Sequence, residues 1–269
     1  MKALGDALLF YASFDAGVDA DFARGDGRLH TTPTGQMADG KPGLASSAIA
    51  LEPAGRRFGG ALRFRSKVPE VVYFRDGANL GYRDANWSGT VSLWLRCDPA
   101  AGLPPDFVDP LIVTDKSWDD ASMFVDFNKR EDGKPRPLRL GAFADKSAWN
   151  PTNRNFDSIP DAERPLIAAK ALPFAAGRWT HVAITWDGFN RPAGSGEAVA
   201  RLYLDGELAA ELSRPSQSYA WDPARVWMRL GINYVGLLDD LAIFNRALDA
   251  GEVRALLSLP HGVADIRGR

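Results

Sequence analysis

The sequence predicts an all-β protein built from two packed antiparallel sheets. Three observations carry that expectation. Short apolar runs recur between clusters of Gly, Pro, Asn and Asp, no long segment repeats with helical period, and Asp205-Gly206 separates two strand-like runs with the residue pair that a tight hairpin requires. A chain of 269 residues can bury one substantial core, so a single domain over 1–269 is expected, with its core at about residues 8–257.

Leu8 to Phe14 is the first strand, and the stretch after it, from Asp15 to Ala50, is longer than a hairpin needs. Short apolar runs then mark strands at Ala61 to Phe64, Val71 to Phe74, Leu111 to Thr114, Ser122 to Phe127 and Leu138 to Phe143. Thr90 to Arg96 alternates: Val91, Leu93 and Leu95 fall on one face and Thr90, Ser92 and Arg96 on the other, so one face points into the sandwich. Trp94 breaks the polar face, either as a ring on a concave outer surface or as a partly covered structural residue. A second long stretch, Asp145 to Pro173, precedes strands at Trp179 to Trp186, Ala200 to Leu204 and Glu207 to Glu211. Between the last two, both central residues of a type I′ turn need positive φ, which Asp205-Gly206 tolerates. Leu238 to Phe244 is the last strand. One short helix follows Leu248: Asp249 caps its first turn, Glu252 completes a capping box, and Val253, Leu256 and Leu257 form a stripe that docks against a sheet edge. Pro260 to Arg269 reads as a tail.

Composition bounds the function. Hydrophobic residues make up 45% and charged residues 25% of the chain, the balance of an ordinary globular protein. The formal net charge is -2 with no block of Lys or Arg, so the footprint of a nucleic-acid binder or a polybasic membrane protein is missing. No apolar stretch approaches the roughly 18 to 20 residues that span a bilayer. The start, Met1 to Asp6, does not read as an export signal, because Asp6 interrupts the apolar run and Leu8 to Tyr11 is too short. The single cysteine, Cys97, excludes an intrachain disulfide and any multi-cysteine metal site.

The run Gly177-Arg178-Trp179-Thr180-His181-Val182-Ala183-Ile184-Thr185-Trp186-Asp187-Gly188, followed by Ala200-Arg201-Leu202-Tyr203-Leu204-Asp205-Gly206-Glu207, resembles the central signature of laminin-G-like, concanavalin-A-like jelly rolls. Phe58-Gly59-Gly60-Ala61-Leu62-Arg63-Phe64 and the stretch from Gly236 to Leu248 resemble the same family at the expected places. The resemblance implies a two-sheet jelly-roll sandwich with one short C-terminal helix. It further implies a secreted or cell-surface, non-catalytic module that binds carbohydrate through loops on one sheet face. The chain departs from the pattern in the length of Asp145 to Pro173 and in Trp186, which stands where a tyrosine often precedes Asp-Gly.

A sugar offers apolar C–H faces and many hydroxyls, so its sites pair an aromatic platform with hydrogen-bonding groups. Trp118 with Asp119, and Trp149 with Asn150 and Arg154, have that composition; Tyr219 with Trp221 is a third candidate. Packing of these rings onto the core is the alternative. Many proteins of this class hold a structural calcium where the terminal strands meet, which the resemblance places at Asp15, Asp239 and Asp240; solvent-facing turn and edge carboxylates are the alternative. Alternation puts Asp239 and Asp240 on opposite faces unless the strand bulges.

His181 sits in the family-like strand and reads as a packed residue; His30 and His261 lack the spacing of a zinc helix. No nucleophile elbow, phosphate loop or dinucleotide fingerprint occurs in a fitting context. Glycoside hydrolysis needs two carboxyls facing one cleft, and Phe124-Val125-Asp126-Phe127 offers one acid. The alternatives to a lectin-like module are a lyase or glycosidase using loop acids such as Glu131, Asp157 and Glu163, and a protein-adhesion or accessory domain.

Overall fold

The computed structural model describes residues 2–53 and 57–267. In chain order the first strands are β1 (Leu8–Ala12), β2 (Phe22–Ala23), β3 (His30–Thr32), β4 (Lys41–Pro42), β5 (Ile49–Leu51), β6 (Leu62–Phe64), β7 (Val71–Arg75) and β8 (Trp87–Arg96). They are followed by β9 (Val108–Thr114), β10 (Ser122–Phe127), β11 (Leu138–Phe143), β12 (Leu166–Ala168), β13 (Thr180–Phe189), β14 (Ala198–Leu204), β15 (Glu207–Arg214), β16 (Trp227–Ile232) and β17 (Gly236–Phe244). Among the described residues there are four α-helices, α1 (Lys2–Ala7), α2 (Lys146–Trp149), α3 (Ala250–Leu257) and α4 (Ala264–Arg267), and three single-turn 3-10 helices.

The strands form two antiparallel sheets. One has nine strands in the order β15-β14-β13-β8-β17-β1-β2, with β6 also paired to β17 and β5 to β6; the other has eight, in the order β12-β11-β10-β9-β16-β7-β3-β4. The two-sheet jelly-roll expectation therefore holds. Alternation does the sorting: Val91, Leu93 and Leu95 from one sheet and Leu111, Val113 and Val125 from the other are all buried between the layers. Each such side chain contributes about 1.5–3 kcal/mol relative to exposure.

One end of the interlayer space is filled by aromatic rings. Trp87 lies 4.9 Å from Trp186 and 4.8 Å from Trp221, and Phe189 stacks on Tyr219 at 5.0 Å. Trp186 faces Gly89 across the β13–β8 ladder, and a Cβ on Gly89 would sit 2.2 Å from the indole, so only glycine leaves room for that ring. Tyr219 and Trp221 belong to this cluster at 1% and 5% exposure, which corrects their reading as a ligand platform. Their polar atoms are committed as well, Tyr219 Oη donating to the Ser122 carbonyl and Trp221 Nε1 to that of Ala121.

The hairpin and the helix follow local chemistry. Asp205 and Gly206 adopt φ of 47° and 81°, as the type I′ turn demands. Asp249 accepts the Glu252 amide and Glu252 reaches back to the Asp249 amide, a complete capping box on α3. Val253 and Leu256 dock on the outer face of the nine-stranded sheet, in a cluster with Ala183, Tyr203, Ala242 and Phe244, and the helix meets the edge strand β15 as expected. Leu257 is half-buried.

Several segments carry structure that the periodicity did not announce. The stretch from Asp15 to Ala50 holds β2, β3, β4 and the start of β5, each two or three residues long and too short to show a period. Strand β16 is central in the eight-stranded sheet, yet Arg229 and Gly231 interrupt its apolar run. Gly231 has φ of 71°, and a Cβ there would fall 2.1 Å from the Phe64 ring. The segment expected as a tail instead buries Val263 and forms α4, which lies against α1.

Candidate functional site

The two outer faces of the sandwich have different fates. On the nine-stranded sheet, α1, α3 and the segment through α4 cover the face and build a second apolar cluster with Leu8, Tyr11, Ala242 and Phe244. Trp94 lies on this face at 4% exposure beneath the Arg57 guanidinium, 4.4 Å from its ring, so it is a covered structural residue.

The eight-stranded sheet keeps its outer face open around a groove of about 500 Å³. Alternation aims Ile112 of β9, Phe124 and Asp126 of β10, Arg139 of β11 and Arg229 of β16 outward into it. Gly141 of β11 makes the floor possible: the Phe124 ring lies where its Cβ would be, 2.3 Å away. Phe107 and Trp118 stand at the rim, 40% and 45% exposed, both among the few exposed large apolar side chains of the described residues. Trp118 is edge-on to Phe143 at 5.6 Å and to Phe156 at 5.2 Å. Its turn is tied down by Thr114 Oγ1, which accepts from the Lys116 amide and donates to the Asp120 carbonyl.

The polar floor contains one satisfied pair and two uncommitted groups. Arg139 forks onto the buried Asp126 through Nε and Nη2. Burial still pushes the Asp126 carboxyl up, against the pull of that arginine. Among the described residues Asp109 forms no ion pair, and burial together with the nearby Asp126 raises its carboxyl to about 7. Arg229 forms none either: its plane stacks on Trp227 at 4.6 Å, and its Nε and Nη2 are buried with no hydrogen-bond partner. Burial lowers the Arg229 pKa to about 10.

Of the residues singled out as ligand contacts, the structure brings Trp118 to the groove and places the others behind or beside it. Asp119 pairs with Lys146 at 2.8 Å, and its carbonyl accepts from Trp149 Nε1. Trp149 packs on Phe143 and Phe156, supporting the rim as a half-buried ring. Asn150 spends its amide on the backbone N–H and carbonyl of Arg154, and the Arg154 guanidinium pairs with Glu163. Among the loop acids, Asp157 lines the groove, while Glu131 pairs with Lys134 and Glu163 with Arg154. Sequence reasoning missed Phe107, Asp109, Arg139 and Arg229. The signal was present as charged residues at alternate positions, Asp126 in β10 and Arg139 in β11, which cross-strand pairing sets side by side.

Of the acids expected to hold calcium, Asp239 and Asp240 are buried on the covered face and Asp15 is exposed just beyond β1. Strand β17 bulges between Asp239 and Ala242, and Asp240 takes φ of 53°, so simple alternation does not separate the two carboxylates. Asp240 accepts Tyr11 Oη at 2.9 Å and the Val263 amide. Asp239 Oδ2 accepts the Arg57 and Phe58 amides, and Asp15 accepts the Gly60 amide at 2.6 Å. Burial, then the Asp240 charge, raises Asp239 to about 8; burial raises Asp240 to about 7, with Asp15 adding to the repulsion on both. Among the described residues no group of three or more His, Cys, Asp or Glu side chains is placed to hold a metal ion. Asp239 Oδ1, buried and without a hydrogen-bond partner, is the one oxygen of this set that stands as an orphaned acceptor. His181, two strands away across Trp94, is fully buried and bonded to Ser92 Oγ at 2.8 Å, and burial lowers it to about 4.

Among the described residues no helix is long and apolar enough to cross a membrane. No curated protein matches the chain. Solved structures do. Domain 4 of AbnA, a GH43 extracellular arabinanase from Geobacillus stearothermophilus solved with arabinotriose, matches at 18% identity and a TM-score of 0.54, over 94% of this chain and 98% of that one. The botulinum neurotoxin serotype D ligand-binding domain, solved with N-acetylneuraminic acid, matches at 9% identity and 0.52, over 95% of this chain and 51% of that one. The binding domain of Paraclostridial Mosquitocidal Protein 1 matches at 15% and 0.51, over 94% and 52%. The chain thus spans nearly all of the arabinanase domain and about half of each toxin domain, and at these identities the likeness is one of fold. A family model covers residues 72–254, from β7 through most of α3, and by that match the chain belongs to the concanavalin A-like lectin/glucanase superfamily.

Proposed function

We propose that the protein is a non-catalytic carbohydrate-binding module whose ligand lies in the groove on the eight-stranded sheet. The observation that carries this is the pairing of exposed Phe107 and Trp118 at the rim with uncommitted Asp109 and Arg229 on the floor. Flat apolar rings take the C–H faces of a sugar, and charged groups take its hydroxyls. Structural neighbours solved with arabinotriose and with N-acetylneuraminic acid support the choice of ligand class. Asp126 is locked in the Arg139 fork, which leaves Asp109 and Asp157 as the groove carboxyls on which a hydrolytic reading would rest.

The test is isothermal titration against a panel of neutral and acidic polysaccharides. Trp118→Ala should weaken binding about tenfold or more while leaving the melting temperature within about 1–2 °C, since the ring is half exposed. Undiminished binding by the folded variant would remove the groove from the proposal, and reducing ends or unsaturated products released by the wild type would make the protein an enzyme.

A structural calcium at Asp15, Asp239 and Asp240 belongs to the same reading. What supports it is the orphaned Asp239 Oδ1 among carboxylates whose mutual repulsion a cation would relieve.

A further inference from the structure

Resting on the groove as the sugar site, we infer that its ligand carries a carboxylate, a uronic or related acidic sugar, and that Arg229 receives it. The floor has two arginines, but they are not equivalent. Arg139 is saturated by Asp126, whereas Arg229 has no carboxylate within ion-pair distance and leaves two N–H-bearing atoms, Nε and Nη2, unsatisfied. A buried guanidinium edge without acceptors is expensive, on the order of 1–3 kcal/mol per group, and a sequence seldom retains it unless something fills it. Nε and Nη2 form one edge of the guanidinium, the edge that matches the two oxygens of a carboxylate. The guanidinium is steadied over the Trp227 ring, its Cζ 4.6 Å from the ring centroid, where Arg229 lines the groove.

The charges around the groove fit this assignment. Asp126 on β10 is balanced by Arg139 on β11, Asp157 sits on the loop side, and Lys129 lies near the rim at Phe107. The charge facing Arg229 is that of Asp109 on β9, whose carboxyl titrates at about 7. Protonated, Asp109 ceases to compete for the guanidinium and becomes a hydroxyl donor to an incoming acidic sugar. Binding should therefore strengthen as pH falls from about 8 to about 6. The rim rings would hold the sugar's faces and Arg229 would read its charge, which separates recognition of a sugar from recognition of an acidic one.

The experiment titrates oligogalacturonate and alginate oligosaccharides, their carboxyl-reduced neutral forms, and a sulfated glycan lacking uronate, at pH 6 and pH 8. An acidic oligosaccharide should bind about tenfold or more tighter than its reduced form, and Arg229→Gln should erase that difference while Arg229→Lys keeps part of it. Asp109→Asn should flatten the pH dependence. A melting curve for each variant separates loss of the site from loss of the fold. Equal binding of acidic and reduced forms, with Trp118→Ala still abolishing both, would overturn the acidic ligand and leave the sugar site standing. Preference for the sulfated glycan would overturn it too. Silence of every glycan would overturn both.

Discussion

The outer faces of the two sheets start from the same kind of strand and end as opposites. On the nine-stranded sheet, Tyr11, Ala242 and Phe244 point away from the core and would be exposed, but the segments at both ends of the chain fold over them. On the eight-stranded sheet, Ile112, Phe124 and Phe143 point outward in the same way, and only a partial wall of Trp149, Phe156 and Leu166 encloses them. The first face spends its apolar area on stability, and the second leaves part of it available. The acids follow suit. Asp239 and Asp240 are held by backbone amides and a tyrosine under cover, while Asp109 opens on the groove with no ion-pair partner.

The largest effect should come from cutting into the covered face. Phe244→Ala, at a fully buried ring beneath the helices, should cost about 3–5 kcal/mol in chemical denaturation, whereas Phe107→Ala on the open face should stay within about 0.5 kcal/mol. Similar losses for the two would dissolve the distinction.

Next in size is the response of the covered acids to pH and calcium. Asp239 and Asp240 have folded-state pKa values of about 8 and about 7, above the ordinary carboxylate value, so the folded state holds protons that the unfolded state lacks. Their contribution is fully present below the unfolded value and is lost as pH rises through the folded ones. In chelator, stability should fall by about 1–3 kcal/mol between pH 6.5 and pH 9, a window in which His181, held down at about 4, stays neutral. Calcium at about a hundredfold its dissociation constant should restore about 2.7 kcal/mol at the upper end, and Asp239→Asn should shrink the slope, leaving the shares of Asp240 and Asp109, and remove the rescue. Melting temperatures that ignore calcium at every pH would leave these acids as a protonated structural pair.

The smallest expected change tests how firmly the cover is pinned. Asp249→Ala removes the side-chain half of the α3 capping box and should cost about 1 kcal/mol, since the Arg246–Glu252 pair at 2.6 Å persists. Its urea midpoint should move slightly, and sugar binding not at all.

What could be read from the sequence was whatever nearest neighbours determine. Asp205-Gly206 fixes its turn through backbone sterics, and Asp249 with Glu252 fixes a helix start through hydrogen bonds three residues apart. The groove depends on partners far apart in the chain. Asp109 faces Ile232 only because β9 pairs with β16, and β16 itself was hidden by Arg229, the residue on which the ligand inference turns. Trp118 was legible as an aromatic beside polar residues, yet so was Trp149, and only packing distinguishes a platform from its buttress.

Gly5 and Ile266 are near enough that a Cβ on the glycine would lie 2.6 Å from the Ile266 carbonyl, which puts α1 and α4 side by side on the layer opposite the groove. A tag, dye or further domain joined next to α1 or α4 would therefore start from behind the sandwich and leave Trp118 facing outward. The same proximity makes a circular permutant feasible, in which a short peptide splices the two helices and new ends are opened in an exposed turn such as the one around Gly194.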